Sequence, residues 1–493
     1  MALGGAGGTV DAVIVGAGPN GLAAAVTLAR AGLTVRVYER DERPGGGAAT
    51  RELTLPGFHH DVCSAVHALA FASPFFRAFG LRDRVEFATP DVSFAQPLDG
   101  GRAGIAYRDL AATAAGLGAD GRAYARLLGP LVARADHIAE ITGSALVRVP
   151  RHPLTFARFA LRAAAQGTPL WNLPFRGDAA PALLTGVAAH TILAQPSLAG
   201  AGGGLTLGTY AHAEGWPIPI GGSQAIIDAL VDDLRAHGGE LVTGHEVASL
   251  AELDDARVAL LDVTPRALLR MAGERMPARY GRTLRRFRYG GAVAKVDFAL
   301  NAPVPWTNAE VRRAGTVHVG GTRAEMARAE NDVDCGRHPE RPYVLVSQPT
   351  LFDPSRAPAG AHTLWAYTHV PAWSDQDRTE AVVAQIERFA PGFRDTILAS
   401  SSRTAVEVAA HNPNYVGGDI AAGAPTMRQL LRRPTLSPDP WRTPVPGVYL
   451  ATASASPGPG VHGLAGWHAA RSALRHEFGV REAPDLSPAA TRP

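Results

Sequence analysis

Gly16-x-Gly18-x-x-Gly21 follows an apolar, β-type run, Val10 to Val15, and opens an Ala/Leu-rich stretch from about Pro19 to Ala31. Glycine at the first position permits a tight turn, and at the second it lets the backbone approach a pyrophosphate. At the third it lets helix and strand pack closely, while the helix N-terminus attracts phosphate charge. Glu39 stands 18 residues after Gly21, at the end of a second strand-like run from Thr34. A carboxylate there accepts hydrogen bonds from an adenosine ribose 2′-OH. Gly116-x-Gly118-x-x-Gly121 repeats the spacing but follows a helical run, Asp109 to Ala115, with no acid-terminated strand after it. It reads as a turn between helices, so the chain offers one dinucleotide site.

Other residue groups bear on chemistry with less specificity. Arg43-Pro44-Gly45-Gly46-Gly47-Ala48-Ala49-Thr50 leaves the ribose strand with three consecutive glycines. The stretch is either a flexible loop or backbone given freedom to run beside a bulky cofactor. Near the C-terminus a strand-like run, Val448 to Ala453, leads through Pro457-Gly458-Pro459-Gly460-Val461-His462 into a helix beginning near Gly463. A helix end of that kind presents free N–H groups to developing negative charge. His59, His60, Asp61 and His67 suggest acid/base or metal work, but no second cluster accompanies them. They read as a surface-facing loop, and no metal site is expected.

These residues need elements to hold them. The opening β-α-β unit implies a parallel sheet covered on both faces. Residues 75 to 214 read as helical segments inserted into it. An α/β pattern returns at 215 to 264, where Gly221 and Gly222 precede a periodic helix (Ile226, Ile227, Leu230, Val231, Leu234) and two strands follow. The expected fold is therefore α/β: a Rossmann-type domain from residues 8–75, 215–275 and 436–480, with a discontinuous α+β substrate domain from 76–214 and 276–435. The tails are 1–7 and 481–493, the latter expected to be unordered from Glu482.

A chain of 493 residues is too long for one compact core, and 46% hydrophobic with 19% charged residues describes an ordinary globular protein. Of 48 basic residues only Lys295 is a lysine, and the net charge is +3. Arginine spread so evenly argues against nucleic-acid binding. The run Arg279, Arg282, Arg285, Arg286, Arg288 reads as a solvated face, or alternatively as a basic patch facing a membrane. The two cysteines, Cys63 and Cys335, have no redox-dithiol or zinc spacing. No stretch reads as a signal peptide or a transmembrane helix, and a cytoplasmic protein with at most peripheral contact at the inner membrane surface is expected.

Glu39-Arg40 through Thr50, with Pro56-Gly57-Phe58, resembles the FAD-binding start of the flavin amine oxidase and phytoene desaturase superfamily, above all its carotenoid-desaturase and retinol-saturase branch. The likeness continues in Pro217 to Ser223, in His245-Glu246-Val247, in the polar, glycine-rich loop His411 to Asp419, and in Pro446 to Gly463, and it implies that the stretch from His59 to His67 lies near the flavin. It implies non-covalent FAD as cofactor, held by Gly16, Gly18, Gly21, Glu39, Arg40, Gly45, Gly46, Thr50, Val247, Gly460, Val461 and His462. It also implies an oxidoreductase that draws a hydride to flavin N5 from an extended apolar, isoprenoid-like small molecule, by desaturation, isomerisation or saturation. An amine oxidase is the alternative, although no aromatic residue stands in 458–462, and a flavin-binding scaffold without turnover is a third reading. Lys295 and His462 are the catalytic candidates. Lys295, in Gly290 to Phe298, resembles the superfamily lysine that holds a water against flavin N5; the competing reading is an exposed strand pair with Asp297. Pyridine nucleotide is not expected as an obligatory partner.

Overall fold

The computed structural model describes residues 10–488. The run Ala12–Val15 is a fully buried strand, and the helix Pro19–Arg30, opened by proline at its first turn, is buried along its whole length. Its alanines suit a helix pressed between other elements, because they leave no bulky side chain to place. The sheet beneath it has five strands in the order Val448–Leu450, Val258–Leu261, Ala12–Val15, Val35–Tyr38 and Glu240–Val242. Every neighbouring pair is parallel, as the apolar runs buried on both faces imply. The helix Leu464–Glu477 packs against Pro19–Arg30 so closely that a side chain at Gly466 would meet the Asn20 carbonyl at 1.7 Å.

A second sheet of seven strands runs in the order Ile397–Arg403, Ala292–Leu300, His362–Val370, Val344–Ser347, Ala314–Val319, Val92–Pro97 and Ala103–Tyr107. It is antiparallel except where Ala314–Val319 meets Val92–Pro97. The architecture is thus the expected one, a Rossmann-type sheet with a mixed sheet built from separate stretches of chain. Three strands, Phe87–Ala88, Val92–Pro97 and Ala103–Tyr107, fall inside the stretch that periodicity assigns to helices. Val92–Pro97 is buried at every position, and a short run covered on both faces shows no alternation to betray it. The helices Leu110–Gly116, Gly121–Val132, Ala135–Thr142, Pro153–Gln166, Ala179–Ala189 and Leu198–Ala213 make up most of the rest. The second glycine motif is a turn between two of them, as its context implies.

The expectation of an unordered tail from Glu482 fails as far as residue 488. Leu486 is buried in the core of the Rossmann sheet, and the Ser487 carbonyl accepts from the Arg30 guanidinium at 3.1 Å. One leucine anchors a segment whose Pro/Ala composition says nothing of it. Residues 1–7, expected as the other tail, and 489–493 lie outside the described residues. Among the described residues no helix is long and apolar enough to cross a membrane, and no three His, Cys, Asp or Glu side chains gather as metal ligands.

Candidate functional site

Gly16 takes φ +99°, a conformation that favours glycine, and a Cβ on Gly21 would lie 1.9 Å from the Gly16 carbonyl. The turn and the close helix therefore depend on these glycines. They open on a cavity of about 680 Å3, within the range of small-molecule sites. Gly16, Gly18 and Asn20 line its floor, and the Asn20 side-chain oxygen is buried without a hydrogen-bond partner. Glu39 lines it too, one oxygen accepting from Ala17 N at 2.7 Å and the other from Asp41 N at 3.0 Å. The carboxylate is thereby fixed at the strand end, beside the glycine turn.

The loop after Glu39 runs along the same wall. Arg40 and Gly46 line the cavity, and Arg40 donates to the His411 carbonyl at 3.1 Å. Gly46 passes so close to the first motif that a Cβ on it would stand 3.1 Å from Gly18 Cα. Gly45, at φ +155°, shapes the bend without reaching the wall. Thr50 is also off the wall, and its hydroxyl donates to Asp61 at 2.7 Å. Val247, Gly460 and Val461 line the cavity from the two later segments.

His462 does not reach it. Its Nδ1 accepts from Leu464 N at 3.1 Å and its carbonyl accepts from the Ser73 hydroxyl at 2.6 Å. Burial pushes its pKa down to about 4, so the imidazole serves as a neutral cap for the last helix. Lys295 is likewise absent from the wall, though its neighbours Cys63, Tyr367 and Arg403 line it. Its ammonium pairs with Asp297, and both side chains are buried, which overturns the exposed strand pair. Burial lowers the Lys295 pKa and raises that of Asp297, against their mutual attraction. His60 lies behind the pair, with Nδ1 3.7 Å from Asp297, and burial pushes its pKa to about 3.

The surface-loop reading of His59 to His67 is corrected in the same way. His60, Asp61 and His67 are buried, because a short two-stranded ribbon (Thr50–Glu52 with His59–Asp61) folds this stretch inward. Asp61 accepts from Arg356 at 2.7 Å and from Ser223 N at 2.9 Å. Burial opposes its charge, but Arg356 and these bonds hold its carboxyl below the usual range. The group ties the ribbon to the segment that returns to the Rossmann sheet.

Some wall residues carried no signal in the sequence, whereas the 411–419 loop was legible only as a likeness to the saturase-like branch. Asp262, at the end of Val258–Leu261, is half-buried in the glycine cradle and accepts from Gly21 N at 3.3 Å. Burial, with the Glu39 charge adding to it, pushes its pKa up to about 7. The polar loop around 411–419 closes the cavity: Asn414 donates to the Asp262 carbonyl at 2.8 Å and accepts from Thr264 N, and Tyr415 donates to Cys63 Sγ at 3.4 Å. The far end is aromatic and apolar, with Ile192, Leu207, Trp216, Leu345, Trp365 and Tyr367. The acidic residues of the wall, Glu39, Asp41, Glu246 and Asp262, all belong to the strand ends and loops of the Rossmann sheet. The arginine run at 279–288 borders a different, open groove.

Residues 14–79 match the NAD(P)-binding Rossmann-like domain family. Across 94% of its length the chain is 26% identical to pyridine nucleotide-disulfide oxidoreductase domain-containing protein 2 of Rattus norvegicus, of which the match covers 93%. Cyclohexylamine oxidase from Brevibacterium oxydans shares the fold at a TM-score of 0.53 and 18% identity, over 96% of this chain and 100% of that one. An oxidoreductase from Methanosarcina mazei does so at 0.55 and 18%, over 94% and 100%. The chain thus carries a dinucleotide-type Rossmann domain within the fold of the amine oxidase-type oxidoreductases.

Proposed function

We propose that the chain is an FAD-dependent oxidoreductase that desaturates, or isomerises or saturates, an isoprenoid or other extended apolar molecule. The observation that carries this reading is one continuous cavity, with a glycine cradle and the Glu39 carboxylate at one end and an aromatic, carboxylate-free wall at the other. The cradle fits a dinucleotide: its glycines stand where side chains would intrude, and Asn20 keeps a buried, unpartnered oxygen there. Glu39 would take the ribose, Gly16 and Gly18 the diphosphate, and the backbone of Val247 the adenosine end. The 45–50 and 458–462 loops would run beside the rest of the cofactor. When bound, the flavin supplies a two-electron acceptor for a hydride leaving a substrate C–H bond.

The residues of this chain exclude water and orient the substrate. Trp365, Tyr367 and Leu345 offer flat and branched apolar surface, and no carboxylate at that end answers a cationic group. Lys295 and His462 enter the reading as positioning residues: one sets the charge behind Tyr367 and Arg403, the other holds the last helix. A second reading, oxidation of a C–N bond, is favoured by Trp365 and Tyr367, whose ring centroids lie 5.1 Å apart edge to face. Such rings attract cations.

Purified protein should be yellow and release one FAD per chain on denaturation, since neither cysteine lies in the C-terminal flavin motif. Anaerobic bleaching against a panel of polyenes, amines and alcohols decides the substrate class. Bleaching by polyenes supports the first reading and bleaching by amines alone replaces it with the second. A colourless protein that takes up no FAD refutes both.

A further inference from the structure

Between Ile141 and Gly177 the chain carries Arg148, Arg151, Arg158, Arg162 and Arg176 and no aspartate or glutamate. This stretch forms the helix Pro153–Gln166 and the adjoining helical turn Pro169–Asn172, which pack together. Only Thr155, Ala163 and Gln166 of the helix are buried. Val149, Leu154, Leu161, Leu170 and Leu173 are between 67% and 91% exposed. Single exposed aliphatic side chains are ordinary on protein surfaces, but four leucines and a valine within 25 residues of chain are not.

The charges around them are one-sided. Glu140, at the border, takes Arg148, Arg151 and His152. Arg162 donates to the carbonyls of Leu127 and Arg158. Arg158 and Arg176 have no ion pair among the described residues.

We infer that this face docks on a lipid bilayer bearing anionic headgroups. The leucines enter the boundary between headgroups and acyl chains, and the guanidinium groups meet lipid phosphates there. The helix has 14 residues, too few to cross the bilayer, so the contact is interfacial. A second copy of this chain is the poorer occupant. Self-pairing across a two-fold axis sets arginine against arginine with no carboxylate between 141 and 177 to answer it. The helix packs on Leu198–Ala213, whose Leu207 lines the cavity, yet the docking does not depend on what the cavity binds.

Flotation of the full chain with two kinds of vesicle tests this, one of phosphatidylcholine alone and one containing phosphatidylglycerol. The wild type should float with the anionic vesicles and partition about tenfold less onto the neutral ones, or onto the anionic ones at about 0.5 M salt. Leu154→Asp/Leu161→Asp should lose about tenfold or more of the anionic binding. Its melting temperature should not change, because both side chains are exposed in the fold. Arg158→Glu/Arg176→Glu should lose the preference for anionic over neutral vesicles. A wild type that stays in solution with both vesicles overturns the inference, as does a leucine variant that floats like the wild type. A wild-type dimer that the leucine variant turns into monomer does so too, because the face then belongs to a second copy.

Discussion

Asp262 should make the stability of this protein fall as pH rises from acid to neutral, and Asp262→Asn should abolish that fall. The carboxyl is half-buried in the glycine cradle, and its desolvation there raises its pKa from the ordinary 3.8 to about 7. Between those values the native chain keeps a proton that the unfolded chain has released. The contribution to stability is therefore fully present below the unfolded value and is lost as pH rises through the folded one. Each pH unit in the window costs about 1.4 kcal/mol, so the whole window is on the order of 4 kcal/mol. Asparagine has the same shape, accepts from Gly21 N through its carbonyl, and does not titrate. Thermal melting of the FAD-free protein at pH 5 and at pH 8 should show the variant gaining on the wild type by about 2 to 3 kcal/mol between the two, several degrees in melting temperature. The FAD diphosphate would oppose ionisation of Asp262 further, so wild-type FAD retention should drop above pH 7 while that of the variant stays level. Parallel melting profiles for the two proteins would refute the assignment of a proton-holding carboxyl.

Glu39→Ala should raise the FAD dissociation constant about ten- to hundredfold, the loss of one charge-assisted hydrogen bond, as read by flavin fluorescence. Glu240→Ala, which removes only an exposed pair with Arg36, should leave it unchanged. Lys295→Met should destabilise by about 3 to 5 kcal/mol, because it leaves Asp297 buried and unpaired, and Lys295→Met/Asp297→Leu should recover most of that in thermal melts. In the double variant, tenfold slower reoxidation of reduced flavin by oxygen would show the lysine charge acting on the cofactor. An unchanged rate would leave Lys295 a role in packing alone.

The Rossmann unit was legible because its signals are local. The strand, the three glycines, the helix and the acid at Glu39 lie within 28 residues of chain, from Ala12 to Glu39, and each follows from backbone sterics or hydrogen bonding near it. Local context also separated the true motif from its copy at Gly116, since a glycine turn between helices offers no strand end. The return of the chain at Gly221 and the closing strand and helix were legible for the same reason.

What lines the far wall was not legible. Ile192, Trp216, Leu345 and Tyr367 come from separate stretches that meet only through long-range sheet pairing and the loops packed against it. Lys295 and Asp297 show the limit most plainly. A period of two tells the reader that they share a face of their strand, but which face is covered depends on what packs there, and here it is His60 and Trp365. The same holds for His67, for Leu486 in the tail, and for His462, which its neighbours turn into a helix cap. Sequence alone determined the dinucleotide cradle, because its geometry is written in backbone freedom at neighbouring residues. The identity of the cavity wall and the burial of its charges were decided by tertiary structure, because coverage by distant elements sets the dielectric around a side chain and hence its charge.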